Sequence, residues 1–497
     1  MRIKVRGQNS DTAMAVLFLN CLLLALLMAA SVLYSERAFS LQKETAIFLT
    51  SISLLVVYGW VLWTWQVVKG DLFDPYTLFI TAAVLFNGGQ ALLEIFRLNE
   101  FGILAGQFSP EIILETLFLI VLGIAAFHSG ALLSFALSTT NSSSKENKED
   151  TEVATVQALR AAGFILLAIA AIPTLLILRD AAGVAATSGY SGYLMQPEVR
   201  SFSALPERLA PFIVPGSLFL LAGSKQYRLG IVLSGAMVLA YSSTLLFLVG
   251  SRQGAAMLLI AYAWTFHRCI RPLPKAFLLG IGSLMVLFVF PLIAAFRNAT
   301  GESLLSTLFS IDNPVVASLS EMGYTMTTVA YTVSLVPNYR AFDMGVSYLV
   351  SLLSVFPNLF WDVHPAFTHT PLDRWLVQTV EPQWSNRGSY ALGYSFIAEA
   401  YLNFGWIGAP LALGTMGFLL GKLVLWADKP AYPARIAMLG AIVGFFLLFA
   451  RGSSYEIVRH LLWYALMPYW GVGVLIWLIR AKYYKRSVEV YGFRRKP

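Results

Sequence analysis

The sequence predicts an all-α protein that crosses a lipid bilayer about twelve times. Of its 497 residues, 57% are hydrophobic and only 12% are charged, whereas a soluble domain carries about 25% charged residues. The apolar residues also come in blocks close to the ~20 residues that a helix needs to cross about 30 Å of hydrocarbon. We therefore expect a polytopic integral membrane protein. The expected spans are 13–34, 45–67, 75–95, 111–137, 158–178, 209–223, 229–249, 254–267, 275–296, 404–425, 434–450 and 461–479.

Positive charge next to the apolar blocks predicts the orientation of the chain. A basic tail directly follows the last block, as expected for the cytoplasmic end of a membrane protein. The net charge of +8 therefore indicates membrane orientation, and we expect no nucleic-acid partner. The first block lacks a small-residue cleavage site, so we expect a retained helix rather than a signal peptide. The basic residues of the tail are Arg480, Lys482, Lys485, Arg486, Arg494, Arg495 and Lys496.

Loop composition divides the chain into four regions. The segment 138–157 is rich in Ser, Thr and charge and has no aromatic residue, so we expect a disordered inner loop. A long outer loop contains two apolar stretches, 315–336 and 345–361, which we expect to be helices at the membrane interface. The four regions are 1–296 (an N-terminal bundle of about nine spans), 297–403 (the outer loop), 404–480 (the C-terminal spans) and 481–497 (the basic inner tail).

Arginines gather on the predicted outer side, where the orientation rule does not account for them. The guanidinium group pairs with phosphate through two parallel hydrogen bonds and keeps its charge when it is partly desolvated. Charged side chains at the membrane boundary are also costly to maintain. We therefore expect an outward-facing site for an anionic ligand such as a lipid pyrophosphate, with snorkelling and loop ion pairs as the alternative. The arginines of this set are Arg252, Arg297, Arg387, Arg451 and Arg459, with Arg340 and Arg374 in the same loop.

An acidic residue stands just before the tenth predicted span. A turn at Gly393 is expected to open into a helix at Ser395, on which Ser395, Glu399 and Asn403 are spaced by four residues. Residues with this spacing share one helix face. A lone acid at this depth is a candidate general base or arginine partner. The alternative is a structural ion pair with Arg387 or Arg451.

Histidines supply further candidate bases. Glu456 and His460 are one helical turn apart, so the carboxylate can orient the imidazole; the alternative is a capped helix start with Glu456 in its first turn. His364 lies in the outer loop and is a second candidate. No spacing of histidine or of the two cysteines resembles a metal site. We therefore expect no metal and no cofactor.

Two sequence patterns carry a resemblance to a known family. The first is the Gly250-Ser251-Arg252 turn. The second follows the large outer loop and has the form Gly-x-Ser-x-x-x-Glu-x-Tyr-x-Asn-x-Gly, from Gly393 to Gly405. With many spans around them, these patterns resemble the bacterial O-antigen polymerases (Wzy), which are similar in architecture to the O-antigen ligases. The sequence likewise contains no nucleotide-binding Gly-rich unit and no DxD motif. The resemblance implies a multi-spanning glycosyltransferase (GT-C-like) architecture.

The resemblance also implies a reaction. A growing glycan would pass from undecaprenyl pyrophosphate to a hydroxyl of a new lipid-linked repeat unit, at the periplasmic face of a bacterial inner membrane. The arginines above would neutralise the leaving pyrophosphate, and a chain-length regulator protein would be a partner. Alternatives are a ligase that transfers glycan to lipid A–core, and a flippase, for which the expected paired halves are not visible. The implied residues are Glu399, His364 or His460 as general base and Tyr394, Tyr401 and Asn403 as sugar contacts. Glu399 is the first choice of base, because its helix face is otherwise polar.

Overall fold

The structure is a computed structural model, and it describes most of the chain. The described residues are 8–35, 42–138, 148–195, 204–247, 252–284, 313–356, 361–364, 369–384 and 392–492. Within these ranges the regular structure is entirely helical. The predicted all-α fold class is therefore confirmed.

The described residues form nineteen α-helices. They are α1 Gln8–Ser35, α2 Lys43–Lys69, α3 Pro75–Ile95, α4 Pro110–Ala136, α5 Lys148–Met195, α6 Ala204–Leu209, α7 Ile213–Ala222, α8 Arg228–Phe247, α9 Arg252–Cys269, α10 Lys275–Leu284, α11 Pro314–Gly323, α12 Met326–Leu335, α13 Val346–Leu353, α14 Leu372–Val380, α15 Phe396–Ala427, α16 Pro433–Val443, α17 Phe446–Ala450, α18 Ser454–Leu461 and α19 Met467–Gly492.

Nine helical segments in the described part of the chain are long and apolar enough to cross a membrane. The sequence predicts about twelve, and the difference comes from three places. The expected span 275–296 is described only as far as Leu284, the end of α10. The expected span 434–450 is divided into α16 and α17. The expected span 254–267 lies within α9, which has 18 residues and carries His267 and Arg268 in its last turn.

Local capping explains where several helices begin. The Asp74 carboxylate accepts a hydrogen bond of 2.9 Å from the backbone N–H of Thr77 and so caps α3. Asn313 caps α11 in the same way, through 3.1 and 3.2 Å bonds from the next residues. A proline follows each cap, where its missing N–H costs nothing because that group would have no partner inside the helix.

The segment 138–157, which the sequence predicts to be a disordered inner loop, is partly helical. Helix α5 begins at Lys148, so the last ten residues of the expected disordered loop belong to a helix. Residues 139–147 lie outside the described part of the chain. The charged residues at the start of α5 extend an apolar helix beyond its apolar stretch, and low hydrophobicity alone therefore did not mark a loop here.

The chain divides into two compact units. Unit 1 comprises Met1–Thr140, Leu278–Leu425 and Phe446–Arg459, and unit 2 comprises Asn141–Phe277, Trp426–Phe445 and His460–Pro497. In unit 1, α1 to α4 pack together, with α11 and α12 against α3 and α4. The apolar stretch 315–336 thus forms two short helices, of which α12 is buried within the unit. Where the membrane surface lies relative to them stays a prediction.

A buried polar cluster joins α2, α3 and α4 in unit 1. The His128 ring accepts or donates through both nitrogens, with Nε2 2.8 Å from the Thr64 hydroxyl and Nδ1 2.7 Å from the Tyr76 hydroxyl. The Trp65 indole N–H donates to the Asp74 carboxylate at 3.0 Å, and its ring stacks on Tyr76. All five side chains are buried. We call this set the His128 cluster.

Helix α15 is broken at one glycine, and a loop segment fills the break. Gly405 has φ 63° and ψ −162°, a backbone conformation that residues with a Cβ rarely adopt. The backbone N–H groups of Asp343 and Met344 donate to the carbonyls of Leu402 and Asn403, at 3.0 and 3.1 Å. Because unpaired carbonyls are costly away from water, this loop stabilises the broken helix.

Candidate active site

The polar face predicted for residues 395–403 is present on α15. The Ser395 hydroxyl caps the helix by accepting from the backbone N–H of Ile397 at 3.1 Å, and it donates to Asn87 of α3 at 2.6 Å. Ser395, Glu399 and Asn403 are all fully buried. The four-residue spacing therefore brings the three side chains together, as the sequence predicts.

The Glu399 carboxylate is enclosed by hydrogen-bond donors. Its Oε1 accepts from the hydroxyls of Ser347 at 2.8 Å and Ser454 at 2.6 Å. Its Oε2 accepts from the backbone N–H of Ser454 at 2.7 Å. The carboxylate thus occupies the N-terminus of α18, where the helix dipole stabilises negative charge. These bonds offset the cost of burying an acid away from water.

Further bonds connect Glu399 to α13 and to the break in α15. The Asn403 amide donates to the Ser347 hydroxyl at 2.7 Å, and its oxygen accepts from the backbone N–H of Gly345 at 2.8 Å. The Ser351 hydroxyl lies 2.7 Å from that of Ser454. One buried carboxylate therefore fixes the starts of three helices, α13, α15 and α18, relative to one another. We call Glu399, Ser347, Ser351, Asn403 and Ser454 the Glu399 cluster.

Five buried hydroxyls of unit 1 have no hydrogen-bond partner among the described residues, those of Ser51, Thr77, Thr327, Tyr348 and Ser453. Two of them belong to residues close to the Glu399 cluster. One is Ser453, directly before α18, and the other is Tyr348 on α13. Burial raises the pKa of the Tyr348 phenol well above its usual value, and the nearby charge of Glu399 raises it further. A buried polar group without a partner is rare in folded proteins. These two groups are thus available to a ligand that reaches this part of the protein.

Two partly exposed arginines flank the Glu399 cluster along α18. Arg451 lies just before the helix, where its carbonyl accepts from the N–H of Tyr394 at 3.3 Å and its guanidinium stands over the Phe86 ring at 5.7 Å. Arg459 lies at the other end and donates to the carbonyl of Ser354 at 3.1 Å. Both side chains keep part of their surface exposed, so a ligand can approach them.

Glu456 is an acid of this region that, unlike Glu399, retains exposure. Its side chain is partly exposed, and the charges of Asp373, Arg451 and Glu399 all act on it. Its Oε2 lies so close to Gly452 that a Cβ at that position would be 2.6 Å away. The sequence pattern indicates that Glu456 either orients His460 or stands in the first turn of a capped helix. The structure places it in the first turn of α18.

The structure describes two of the candidate histidines, His364 in unit 1 and His460 in unit 2. His364 is buried, with Nε2 3.0 Å from the Phe356 carbonyl and its ring edge against Trp361. His460 belongs to unit 2 and packs against the rings of Phe445 and Tyr464, with centroids 4.9 and 5.4 Å apart. Their roles as general bases stay predictions.

The residues assigned to sugar contact are buried. The Tyr394 hydroxyl lies 2.9 Å from that of Thr332, and the Tyr401 hydroxyl donates to the Val336 carbonyl at 3.3 Å. Asn403 belongs to the Glu399 cluster. Because each of these three polar groups already has a protein partner, contact with a sugar requires that those bonds rearrange. Their sugar-binding role stays a prediction.

Three of the predicted phosphate ligands fall wholly or partly outside the described residues. Arg297 and Arg387 lie in undescribed ranges. Arg252 begins α9, but its side chain is not among those described. Their assignments stay predictions.

A comparison with protein families covers almost the whole chain. The model of the family O-antigen polysaccharide polymerase Wzy matches residues 16–487. The chain belongs to this family. No curated protein and no solved structure matches the sequence.

Membership in the Wzy family indicates the general reaction that the protein catalyses. Wzy proteins are membrane polymerases of O-antigen polysaccharide, and they act on lipid-linked oligosaccharide repeat units. The matched range includes every residue of the Glu399 cluster, together with Arg451, Glu456 and Arg459. A polysaccharide polymerase is a glycosyltransferase, so the family reaction joins a sugar donor to a hydroxyl acceptor.

Sequence reasoning missed the serines that bind Glu399 in this Wzy protein. The sequence marks Ser454 only as a candidate cap of the helix that contains Glu456. It does not mark Ser347 as a partner of Glu399, because Ser347 lies 52 residues earlier in the chain. A serine in an apolar helix is common and has no spacing that marks a distant partner. Only the fold shows that both hydroxyls point to one carboxylate.

Proposed function

We propose that this Wzy protein transfers a growing glycan from undecaprenyl pyrophosphate to a hydroxyl of a second lipid-linked repeat unit. The reaction takes place at the start of α18, at the periplasmic face of the bacterial inner membrane, and uses no metal. One observation carries this proposal. The enclosed Glu399 carboxylate fixes the N-terminus of α18, which has a partly exposed arginine before it and another in its last turn.

The arginines are proposed to receive the leaving group. Cleavage of the sugar–pyrophosphate bond places negative charge on the pyrophosphate, and fixed cations lower the free energy of that transition state. Arg451 and Arg459 are the arginines of this region that keep part of their surface exposed. Arg252, Arg297 and Arg387 remain in the proposal as further phosphate ligands on the basis of the sequence alone.

The two acids receive different roles. A general base must be reachable by the proton that it removes. Glu399 is fully buried and already accepts three hydrogen bonds, so we assign it a positioning role. Glu456 is partly exposed and lies near the charge of Arg451, so it is the proposed base that activates the acceptor hydroxyl.

Complementation of a strain that lacks its own polymerase tests the function. The wild-type chain is expected to restore a lipopolysaccharide ladder, whereas Arg451→Ala and Glu456→Gln are expected to give mainly single-repeat bands. Arg374→Ala is the matched control, because Arg374 is an exposed arginine of α14 in the same unit. Each variant is compared at equal membrane level.

Two outcomes overturn parts of the proposal. A wild-type chain that lengthens nothing but changes whether glycan reaches lipid A–core indicates a ligase. A full ladder from Glu456→Gln removes the assignment of the base and leaves the polymerase assignment standing. A pH profile separates the acids further, because loss of the base removes the acidic limb of the rate profile, whereas loss of a positioning residue lowers the rate at every pH.

A further inference from the structure

Unit 2 carries an apolar groove whose lining includes no residue of the Glu399 cluster. It is lined by residues of α19 and by Ala434 at the start of α16, and its volume is about 410 Å³. That volume falls in the range of small-molecule and lipid-sized sites, roughly 300–1,000 Å³. Two tryptophans of the lining, Trp470 and Trp477, expose 52% and 67% of their surface.

An arginine stands beside this groove. The Arg435 guanidinium lies between two aromatic rings, 4.5 Å from the centroid of Trp426 and 4.2 Å from that of Tyr432. The Trp426 ring in turn makes an edge contact with Tyr469, which lines the groove. The aromatic contacts therefore connect the cation to the groove wall.

Arg435 has unused hydrogen-bonding capacity. Its Nη1 donates to the Trp426 carbonyl at 3.3 Å, and within the described residues its other donors have no acceptor and the side chain has no ion pair. The nearest acid in sequence, Asp428, pairs with Arg268. The first turn of α16 contains no acidic residue, and the exposed Lys429 adds a further positive charge.

We propose that this groove binds an anionic phospholipid, with an acyl chain along α19 and the phosphate at Arg435. Guanidinium groups bind phosphate through paired donors, and basic side chains at membrane helices recognise anionic headgroups. The apolar wall fits a hydrocarbon chain, while the positive charge at its end requires an anion. This proposal does not depend on the polymerase assignment.

The groove can be closed without disturbing the helix. A Cβ on Gly473, which lines the groove, would meet no atom within 4 Å, and the same is true of Gly471, which is not among the lining residues. Gly473→Leu therefore fills the groove, and Gly471→Leu is its matched control. For the charge, Arg435→Ala has a matched control in Arg271→Ala, because Arg271 is an exposed arginine of the same unit.

The test is native mass spectrometry of the purified full-length protein, titrated with phosphatidylglycerol or with phosphatidylcholine of the same acyl chains. Wild type, Gly471→Leu and Arg271→Ala are expected to bind phosphatidylglycerol more tightly than phosphatidylcholine. Arg435→Ala should bind phosphatidylglycerol about fivefold more weakly, as expected for loss of one basic side chain near a headgroup. Gly473→Leu should weaken binding of both lipids.

Three results would overturn the proposal. One is equal binding of the two lipids by wild type, and another is unchanged phosphatidylglycerol binding by Arg435→Ala. The third is a change in the oligomeric mass with Gly473→Leu, which would make a second copy of the chain the occupant. Melting temperatures of all variants in detergent establish that each one is folded.

Discussion

Unit 1 contains two buried polar clusters that differ in one respect. In the His128 cluster, both ring nitrogens are bound by hydroxyls, and the associated acid caps a helix and accepts from an indole. In the Glu399 cluster, the carboxylate is bound equally well, but the unpartnered hydroxyls of Tyr348 and Ser453 and the partly exposed arginines of α18 lie in the same unit. Burial of polar groups is common to both clusters. A buried hydroxyl without a partner also lies next to the His128 cluster, at Thr77 in the first turn of α3. The partly exposed arginines therefore distinguish the Glu399 cluster, and they indicate which cluster serves a ligand.

Replacement of Glu399 is expected to have the largest effect. In Glu399→Gln, an amide N–H replaces one of the oxygens that accept from Ser347 and Ser454, so that charge-assisted bonds are lost. We expect a loss of about 2–4 kcal/mol in the free energy of unfolding and a ladder reduced to single-repeat bands. The measurement is the lipopolysaccharide gel together with the membrane level. Glu100→Gln, at an exposed acid of the same unit, is the control, and a full ladder from Glu399→Gln contradicts the positioning role.

Arg451 should affect the reaction more than the fold. Arg451→Ala is expected to lower the rate of chain lengthening about 100-fold, the usual cost of removing one group that stabilises transition-state charge. Arg451→Lys keeps the charge but loses the planar pair of donors, so an intermediate rate is expected. The rate is measured with purified protein in vesicles supplied with lipid-linked repeat units. An Arg451→Ala rate equal to that of Arg374→Ala would remove Arg451 from the site.

The His128 cluster should show the opposite behaviour. His128→Phe leaves the hydroxyls of Thr64 and Tyr76 without their partner, which should cost about 2–4 kcal/mol in the free energy of unfolding. Chain lengthening per folded molecule should stay within about twofold of wild type, because the partly exposed Arg451 and Arg459 flank the other cluster. Thermal unfolding in detergent and the rate assay above measure the two quantities. A large loss of rate in folded His128→Phe would show that the clusters are not functionally distinct.

The same chemical change in both clusters sharpens the comparison. Tyr76→Phe removes a hydroxyl bound to His128 and should cost about 1–2 kcal/mol. Tyr348→Phe removes a hydroxyl without a partner and should leave stability unchanged or slightly higher. If the Tyr348 hydroxyl contacts substrate, only Tyr348→Phe should lower the rate of chain lengthening. Equal destabilisation by the two substitutions would contradict the difference between the clusters.

The smallest expected effect concerns Asp373 on α14. Burial raises the pKa of this carboxyl above its usual value. The acid therefore binds its proton more tightly in the folded state, and stability is lost as the pH rises through the folded-state pKa. Asp373→Asn should raise the melting temperature slightly at neutral pH, and this gain should disappear in acid. Thermal unfolding of both proteins from acid to neutral pH checks this, and a gain that grows in acid would give the opposite sign.

The polar face of α15 could be predicted because its cause is local. Ser395, Glu399 and Asn403 lie within nine residues, and helical spacing alone places them together. The partners of Glu399 could not be predicted, since Ser347 and Ser454 lie more than fifty residues away on either side. The same applies to Tyr394 and Tyr401: an aromatic residue near an outer loop gives no sign of whether it faces a sugar or the protein core.

Span boundaries were less predictable where helices are interrupted. The expected spans 404–425 and 434–450 both contain real apolar helices, but α15 starts eight residues earlier than its span and the second span is two short helices. Hydropathy records how apolar a window is, and it does not record a change of helix direction at a single residue. The start of α5 was missed for a different reason, since hydropathy does not register charged residues that extend an apolar helix.

The break at Gly405 has a consequence for how the protein meets bilayers of different thickness. The residues after it, 406–427, form a helix of about 33 Å, close to the hydrocarbon thickness of a typical bilayer. The residues before it are bound to the loop at Asp343 and Met344 rather than to lipid. Tilt of residues 406–427 would therefore absorb a hydrophobic mismatch, with Gly405 as the pivot. The part of α15 before Gly405, which contains Glu399, would keep its position relative to the loop at Asp343 and Met344 as the membrane thins or thickens.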